Sequence, residues 1–370
     1  MVPNQFSDDA KQYNSFLVTA TPLALKLGED LYFDGPVSKK LYKAMCNLNI
    51  YLDIGYRKIK IITKGLEDKD EKGKNIGLFF SLGSDSFFSL YKNHKNKKED
   101  KIEYLIFLEG IETFKPSNFL INKIKKGIRL VAEKSKTVPI FTKTNIRTLS
   151  DKIINWELYH GAEIAAAGLF FSSFIKKIYI SSCDEYLINL KPYGSGNELD
   201  FQWSTESISY EPYGEKYCRA EKIIELCQSE YMDIIKNYLW TCWQKIKNKR
   251  LLNCSRCEKC MRTYLSFYAG GIQDLTPVLA KPKLNDLNQI NISEDKVDTY
   301  ETIYNHLKIN QNKDKPIIKA VEGILIRKKR NLWRDYLHFF WFYIRTKAKN
   351  LYLRYATMLN DKLTNQNDHF

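Results

Sequence analysis

The chain has 370 residues, of which 44% are hydrophobic and 27% charged, so it suits a packed soluble protein of one α/β domain with extensions, or of two or three modest domains. A formal charge of +15 favours an anionic partner such as a nucleotide, a nucleic acid or a membrane surface, although a lysine-rich proteome would give the same balance. Neither a secretory signal nor an apolar run of about 20 residues is found, so we expect a cytoplasmic protein whose cysteines are reduced.

Residues 1–72 are expected to form a small N-terminal α+β unit. Its short apolar segments predict strands, and SKKLYKAMCNL predicts one helix. Proline and glycine in GEDLYFDGPVS indicate turns. The charged stretch EDKDEKGKN predicts an exposed loop before the next unit.

Residues 73–240 are predicted to form an α/β domain with a parallel sheet flanked by helices, because strands and helices alternate along them. The helix from Ser117 to Lys134 has isoleucine and valine at steps of three and four residues. Ligands of such Rossmann-like sheets bind at the carboxyl ends of the strands. The polar segments SLGSDS, FLEGIET, TKTNIR and ISSCDE all fall at those ends.

The remaining segments are less regular. Residues 190–215 indicate an ordered loop, and a helix is expected from Ala220 to Leu239. Residues 276–315 are polar and predict a linker or exposed segment. Residues 316–370 predict a basic, aromatic helical tail.

The segment SLGSDS follows the apolar run IGLFF and precedes a predicted helix. A strand, a tight polar loop and a helix N-terminus together suit a phosphate, because backbone N–H groups and the helix dipole point at it. Asp85 cannot bind phosphate itself, but it could cap the helix or hold Mg²⁺. An ordinary turn with a helix cap would give the same string. The predicted ATP-binding residues are Ser81, Leu82, Gly83, Ser84, Asp85 and Ser86.

Four cysteines give the strongest signal. Cys242 is followed, after eleven residues, by Cys254, Cys257 and Cys260, and four thiolates at such spacing suit a tetrahedral, structural zinc ion. Residues 241–275 are therefore predicted to form a zinc-binding lobe. A redox dithiol, an iron–sulfur cluster and chance clustering are the alternatives. The lysines and arginines around the cluster would offset the negative charge of a four-thiolate zinc centre.

The loop and the cysteines together resemble the PP-loop ATP pyrophosphatases, and more narrowly the 7-cyano-7-deazaguanine synthase group. The matching segments are SLGSDS, LWTCW around Cys242, and NCSRCEKCMR from Asn253 to Arg262. The chain is still more similar to a broad set of bacterial PP-loop proteins through DGPVS, TNIR, HGA, YGSG and CSRCEKCMRT. Leu82 departs from the family by replacing a glycine of the loop, and Glu112 stands where related proteins tend to have Asp.

This resemblance implies a HUP-type fold and an activation chemistry with ATP, Mg²⁺ and Zn²⁺. ATP would be cleaved between its α and β phosphates while a carboxylate or amide oxygen of a small or sugar-linked substrate is adenylated. Ammonia, an amine or a sulfur nucleophile would then displace AMP, forming an amide, a nitrile or a thio group. The alternatives are the same chemistry on a macromolecule such as RNA or a protein, or a non-catalytic ATP-binding scaffold with a degenerate loop.

Further site residues are predicted at strand ends. Arg147 could clamp phosphate or a substrate carboxylate, or lie on the surface; Asn145 could contact ligand or cap a helix. Asp85 and His160 are the predicted catalytic residues, and His160 could act as general acid or base or be structural. Ser181, Ser182 and Ser195 are predicted substrate contacts, although Ser195 could instead bond its neighbouring backbone.

The tail has ten lysines and arginines between Ile317 and Tyr355, against two acidic residues, and many aromatics. Such a segment could pack back on the domain, bind a partner protein, lie on an anionic membrane surface or bind nucleic acid. No recognisable RNA-binding module supports the last alternative.

Overall fold

The N-terminal segment begins with a long helix in the computed structural model, which describes residues 9–68, 73–111, 117–182, 193–242, 244, 252–309 and 315–328. Helix α1 (Asp9–Leu27) occupies residues expected to be mostly strands, so that prediction is wrong. Leu17, Val18, Thr21 and Leu25 are all buried, and this spacing places them on one helical face.

A two-stranded parallel sheet follows α1. Strand β1 (Leu31–Ser38) runs through DGPVS, where turns were expected, and pairs with β2 (Ile61–Glu67). The pairing register shifts between Phe33 and Pro36, so proline and glycine bend the strand here without ending it. Between the strands lie α2 (Lys39–Met45), which agrees with the expected helix, and α3 (Asn49–Asp53).

The central sheet has five parallel strands in the order β5-β4-β3-β6-β7. The predicted α/β architecture, a parallel sheet flanked by helices, is thereby confirmed. Its strands are β3 (Asn75–Phe79), β4 (Tyr104–Glu109), β5 (Val138–Lys143), β6 (Ile175–Ser181) and β7 (Ser209–Tyr213). Strand β7 lies in the segment expected to be a loop, and its Pro212 is tolerated because the strand is at the sheet edge.

Helices cover both faces of this sheet. They are α4 (Ser84–Lys95), α5 (Asn118–Ser135), α6 (Arg147–Ser150), α7 (Trp156–Leu169), α8 (Asn197–Asp200), α9 (Arg219–Leu226), α10 (Met232–Tyr238), α11 (Glu258–Ala269), α12 (Leu284–Asn288), α13 (Val297–Ile309) and α14 (315–328). Helices α9 and α10 replace the single helix expected there. Short 3-10 turns lie at Phe201–Trp203 and Glu294–Lys296.

Two apolar cores sandwich the sheet. Ile76 and Leu78 of β3 belong to the core formed with α4, α5, α9 and α11, whereas Ile178 and Ile180 of β6 belong to the core formed with α1 and α7. Strand β4 has four consecutive buried residues. Such an uninterrupted apolar strand is what a parallel sheet covered on both faces requires.

The expected linker is largely packed. Tyr300, Ile303 and Leu307 of α13 are fully buried in the first core, and so is Val321 of α14. The beginning of the predicted tail therefore packs back on the domain. Residues 329–370, with most of the basic and aromatic positions, and Glu112 lie outside the described residues. Within the described ranges, every helix is too short or too polar to cross a membrane.

Candidate functional site

The strand order reverses between β3 and β6, and the region beyond the carboxyl ends of these two strands is called the crevice here. The chain leaves β3 for β4 on one side, and later returns to the other side of β3 to form β6. Ligands of open parallel sheets bind at such a reversal, beyond the carboxyl ends of the strands. The segment SLGSDS follows β3, and Ser181 and Ser182 end β6, so the structure brings these two predicted groups to the same crevice.

Side chains from two helices join the two strand ends. The hydroxyl of Ser89, on α4, lies 2.9 Å from the hydroxyl of Ser181. The ammonium of Lys222, on α9, donates to the carbonyl of Ser182 at 2.6 Å and is fully buried. Helix α9 therefore reaches across the crevice from the first core.

Asp85 lies in the first turn of α4, where it faces several cations. The guanidinium of Arg219 donates to its Oδ2 at 2.7 Å, and the ammonium of Lys222 lies 3.8 Å from its Oδ1. The cap of α4 is Gly83, so Asp85 does not serve as the helix cap. Its Oδ1 is buried and has no hydrogen-bond partner among the described residues.

The charges around Asp85 keep its carboxylate ionised. Burial alone would raise the pKa of Asp85, but the positive charges of Arg219, Lys222 and Lys259, with the hydrogen bond from Arg219, hold that pKa below its usual value. Two cations thus lie within 4 Å of one carboxylate. The excess positive charge suits an anion such as a phosphate group.

The other loop residues lie where backbone groups can face the crevice. Gly83 has an extended backbone, and the hydroxyl of Ser86 donates to its carbonyl at 2.9 Å. Ser84 and Ser86 are buried, whereas Ser81 and Gly83 are partly exposed. Substrate or nucleotide contact by these residues stays a prediction.

Leu82 adopts the left-handed conformation, with φ of 63°. A leucine there carries a strain of about 1–2 kcal/mol. Its side chain is fully buried in the first core, so it points away from the crevice, and burial of a leucine contributes about 2–3 kcal/mol. The departure from glycine therefore leaves the backbone of the loop open to a ligand.

Replacing Leu82 is expected to destabilise the protein, because lost burial outweighs relieved strain. We expect Leu82→Ala to lower the free energy of unfolding by about 2–5 kcal/mol. Leu82→Gly should cost no more than Leu82→Ala, since glycine alone accepts the positive φ without strain. Urea unfolding checks this pair, and a glycine variant about 1 kcal/mol less stable than the alanine variant would contradict the strain.

The four cysteine side chains form a compact cluster, with their sulfur atoms all within 4.8 Å of one another. Two of the sulfur pairs, Cys242–Cys257 and Cys254–Cys260, lie 3.8 Å and 3.7 Å apart. A tetrahedral ion with metal–sulfur bonds of about 2.3 Å requires sulfur–sulfur distances of about 3.8 Å. The donor set and spacing therefore fit a metal ion such as Zn²⁺.

Hydrogen bonds of the Asn253 side chain and of one backbone N–H group hold the cysteine segments in place. The Oδ1 atom of Asn253 accepts from the N–H groups of Thr241 and Cys242, and its amide donates to the carbonyls of Leu239 and Val278. The N–H of Cys257, the cap of α11, points at the sulfur of Cys254, 3.3 Å away. Amide donors of this kind stabilise thiolates, which are the metal-binding form of cysteine.

Two of the remaining predicted residues lie on helices, Arg147 on α6 and His160 on α7. Arg147 pairs with Asp151 at 3.0 Å, donates to the carbonyl of Ile111 at 2.7 Å and lies over the ring of Trp156. These contacts hold the Arg147 side chain against its own neighbours, so they favour a structural role for Arg147 over contact with a ligand. Asn145 is exposed, and its carbonyl accepts from Thr148.

His160 is buried between aromatic rings. Its ring centroid lies 5.0 Å from that of Trp156 and 4.7 Å from that of Tyr193, and its Nδ1 lies 3.3 Å from the carbonyl of Trp156. Burial lowers the pKa of His160 to about 4, so the imidazole is neutral at physiological pH. A catalytic role for His160 stays a prediction, and its contacts favour packing.

The HGA and YGSG segments pack against each other through their glycines. A Cβ on Gly161 would lie 1.8 Å from the carbonyl oxygen of Gly194, which leaves no room for a side chain. The N–H of Gly194 donates to the carbonyl of Glu157. The hydroxyl of Ser195 donates to Oδ2 of the fully buried Asp200 at 2.9 Å. Ser195 is therefore bonded to a residue of its own segment, and its contact with a substrate stays a prediction.

Asp200 makes the fold sensitive to pH. Burial raises its pKa to about 7, against the opposing hydrogen bonds of Ser195 and Gly196. The folded protein thus holds a proton that the unfolded chain releases near pH 4, and stability falls as pH rises from about 4 to 7. At about 1.4 kcal/mol per pKa unit, the loss approaches roughly 4 kcal/mol at most.

Asp200→Asn should remove this loss. We expect the variant to gain stability over the unmodified protein at pH 8, and to gain little at pH 4, because both proteins are then neutral at this position. Thermal unfolding across that pH range measures the difference. A gain that is equal at both pH values would show that Asp200 is not the titrating group.

Sequence reasoning missed the cations of α9. Arg219 and Lys222 are three residues apart and therefore share a helical face, and both are buried. The spacing of these two cations can be read from the segment CRAEKIIEL. A charged helix face is usually solvated, however, and only the tertiary structure shows that this face of α9 is turned towards Asp85.

No model of a known protein family matches this chain, and no curated protein matches it.

Proposed function

We propose that the protein is an ATP-dependent enzyme of the PP-loop type, with a HUP-type fold, that adenylates a carboxylate or amide oxygen. The observation that carries the proposal is the pair of buried cations, Arg219 and Lys222, beside the Asp85 carboxylate at the β3–β6 crevice. The segment SLGSDS, which contains Asp85, directly follows the first strand of the central sheet. The phosphate-binding loop has the same position in the PP-loop proteins that this segment resembles.

The crevice suits the triphosphate of ATP. Arg219 offers a planar fork of donors for phosphate oxygens, and Lys222 adds a positive charge from a fully buried position. The N-terminus of α4 contributes backbone donors and a favourable dipole. Charges held in a site of low dielectric stabilise an anion more strongly than the same charges in water.

Mg²⁺ fits Asp85. A carboxylate oxygen is the ligand that Mg²⁺ prefers, and Oδ1 of Asp85 is a buried acceptor without a hydrogen-bond partner among the described residues. When bound, Mg²⁺ would neutralise phosphate charge. Asp85 would hold it, while Arg219 keeps the other carboxylate oxygen in place at 2.7 Å.

In the proposed reaction a substrate oxygen attacks the α-phosphorus of ATP. The bond from that phosphorus to the oxygen bridging the α and β phosphates breaks, and pyrophosphate leaves with both electrons of this bond. Ammonia, an amine or a sulfur nucleophile then displaces AMP from the adenylated substrate. The contribution of Arg219 and Lys222 is to position the phosphates and stabilise the charge that grows on the leaving pyrophosphate.

Zinc is the metal we assign to the cysteine cluster. Four thiolates leave no open coordination position, so its role is structural. The scaffold alternative depends on a loop spoiled by Leu82, and the burial of that side chain in the core favours a working loop.

Product analysis tests the proposal without knowledge of the substrate. Purified protein is incubated with MgATP labelled at the α- and γ-phosphates and a mixture of small carboxylic acids and ammonium, and the labelled products are separated. We expect AMP and pyrophosphate in equal amounts. ADP as the product, or failure to bind α,β-methylene ATP in calorimetry, would count against the proposal.

A further inference from the structure

Helix α5 turns a basic face with one exposed aromatic ring to solvent. Its isoleucines are buried in the first core, whereas Phe119, Lys126 and Arg129 are exposed. Steps of seven and three residues separate these three positions, so they lie on the same side of the helix, opposite the buried one. The acidic Glu133 follows one turn after Arg129, so the cations lie in the earlier part of the helix.

Strand β5, at the edge of the sheet, continues this surface. The guanidinium carbon of Arg129 lies 4.9 Å from the ring centroid of Phe141, and the ammonium of Lys125 lies 5.9 Å from the same centroid. Both distances are those of cation–π contacts. Lys143 ends β5, and its side chain is 75% exposed. The helix and the strand therefore form one surface, which we call the α5–β5 face and define by Phe119, Lys126, Arg129, Phe141 and Lys143.

Positive charge exceeds negative charge where β5 ends. The carboxylate of Glu109 lies 2.9 Å from the ammonium of Lys125 and 3.4 Å from that of Lys143. Burial alone would raise the pKa of Glu109, but the hydrogen bonds and charges of these two lysines hold that pKa below its usual value. One carboxylate is thus shared by two ammonium groups, and the exposed Lys126 adds a further cation. Such an excess suits a polyanion.

Phe119 distinguishes this surface from an ordinary solvated helix face. Its side chain is 51% exposed in the first turn of α5, on the same side of the helix as Lys126. Cations alone suit any polyanion, but an exposed aromatic ring beside them gives a nucleic-acid base a surface on which to stack. The bases of a duplex already stack on one another, so this combination favours an unpaired strand.

We propose that the α5–β5 face binds single-stranded nucleic acid, with a base stacked on Phe119 and phosphates on Lys126, Arg129 and Lys143. RNA and DNA share this chemistry. At a rise of about 1.5 Å per residue, the distance along α5 from Phe119 to Arg129 is about 15 Å. Phosphates of a stacked strand are about 3.4 Å apart along its axis, so the helix is long enough to follow several of them.

The α5–β5 face lies at the same edge of the sheet as the crevice. Lys143 ends β5, and β5 is two strands away from β3 in the sheet order. Neighbouring strands are about 4.8 Å apart, so the ends of β5 and β3 are separated by about 10 Å. A bound strand would therefore pass beside the crevice, although its binding does not depend on the proposed ATP chemistry.

Fluorescence anisotropy of the full chain with labelled oligouridylate and oligothymidylate of equal length tests the inference. The charge variant combines Lys126→Gln, Arg129→Gln and Lys143→Gln. We expect it to bind both oligonucleotides at least tenfold more weakly. The slope of log affinity against log salt should fall in magnitude by about 2, because each phosphate contact on a single strand contributes about 0.7.

The loop before β2 supplies a matched control. Arg57, Lys58 and Lys60 are exposed there, and the neighbouring Tyr56 and Ile59 pack on the second core, across the sheet from α5. Replacing these three cations by glutamine removes one arginine and two lysines, as in the charge variant. We expect the control to bind within about twofold of the unmodified protein, with the same salt slope. Equal losses in both triple variants would show general attraction to a basic protein and would overturn the inference.

An aromatic variant separates stacking from charge. We expect Phe119→Ala to weaken oligonucleotide binding by about fivefold or more and to leave binding of heparin, which has no bases, unchanged. Phe16 on α1 is 54% exposed, so Phe16→Ala is its control and should change neither. Circular dichroism checks the fold of each variant.

The outcomes divide clearly. Tighter binding of either oligonucleotide supports the inference and identifies the strand as RNA or DNA. Equal affinities of the Phe119→Ala and Phe16→Ala variants would overturn it, and so would the absence of oligonucleotide binding by the unmodified protein. Binding to phosphatidylserine vesicles without binding to oligonucleotides would also overturn it, in favour of a membrane surface.

Discussion

Asp85→Asn is expected to slow AMP formation strongly while leaving an intact anion site. The variant loses the carboxylate that would hold Mg²⁺, and loss of such electrostatic stabilisation typically lowers a rate by about 100- to 1,000-fold. In the absence of Mg²⁺, affinity for pyrophosphate should rise, because Arg219 and Lys222 then face no competing carboxylate. Opposite changes in rate and in affinity are the expected signature.

The opposite signs separate chemistry from misfolding. Removing one member of a buried charge cluster costs about 3–5 kcal/mol, so some loss of stability is expected in this variant as well. An unfolded protein would lose rate and affinity together. Asp233→Asn is the control, because Asp233 pairs with Lys134 on the surface and should leave both readouts unchanged. Unchanged AMP formation by the Asp85 variant would falsify the role of the carboxylate.

Removal of a cluster cysteine is expected to have the second large effect. We expect about one zinc ion per chain, and Cys254→Ser should lose the metal, since a three-thiolate site binds zinc much more weakly. Cys242 and Cys260 are buried in the first core, so metal loss should also lower the unfolding temperature. Metal analysis and thermal unfolding give the two readouts.

An isolated cysteine provides the control for this variant. Cys218 is partly buried and lies outside the cluster, so Cys218→Ser should keep its zinc. Iron in place of zinc would favour the iron–sulfur alternative. Less than about one zinc per chain in the unmodified protein, with no change in Cys254→Ser, would eliminate the metal centre.

The alternation of strands and helices was readable because buried parallel strands need apolar runs and their helices need apolar faces. Helix α5 begins where Ser117 was expected to start it, since the Ser117 hydroxyl accepts from the N–H of Leu120 at 3.2 Å. Helix α1 was missed because its apolar residues were taken for short strands. Strand β7 was missed because it is a short edge strand that contains a proline, which lacks a backbone donor.

For the candidate site, the features that depend on local spacing are predictable from the order of the residues. The residues of SLGSDS lie between a strand and a helix, and the cysteine intervals bring four sulfur atoms within 4.8 Å. The tertiary structure alone decided which charges meet. Arg219 and Lys222 are 134 and 137 positions from Asp85, and only folding of the sheet and its covering helices brings such distant residues together. Tertiary structure also decides the effect of Leu82 on the loop. That effect depends on where its side chain is buried, and no local sequence pattern specifies the burial.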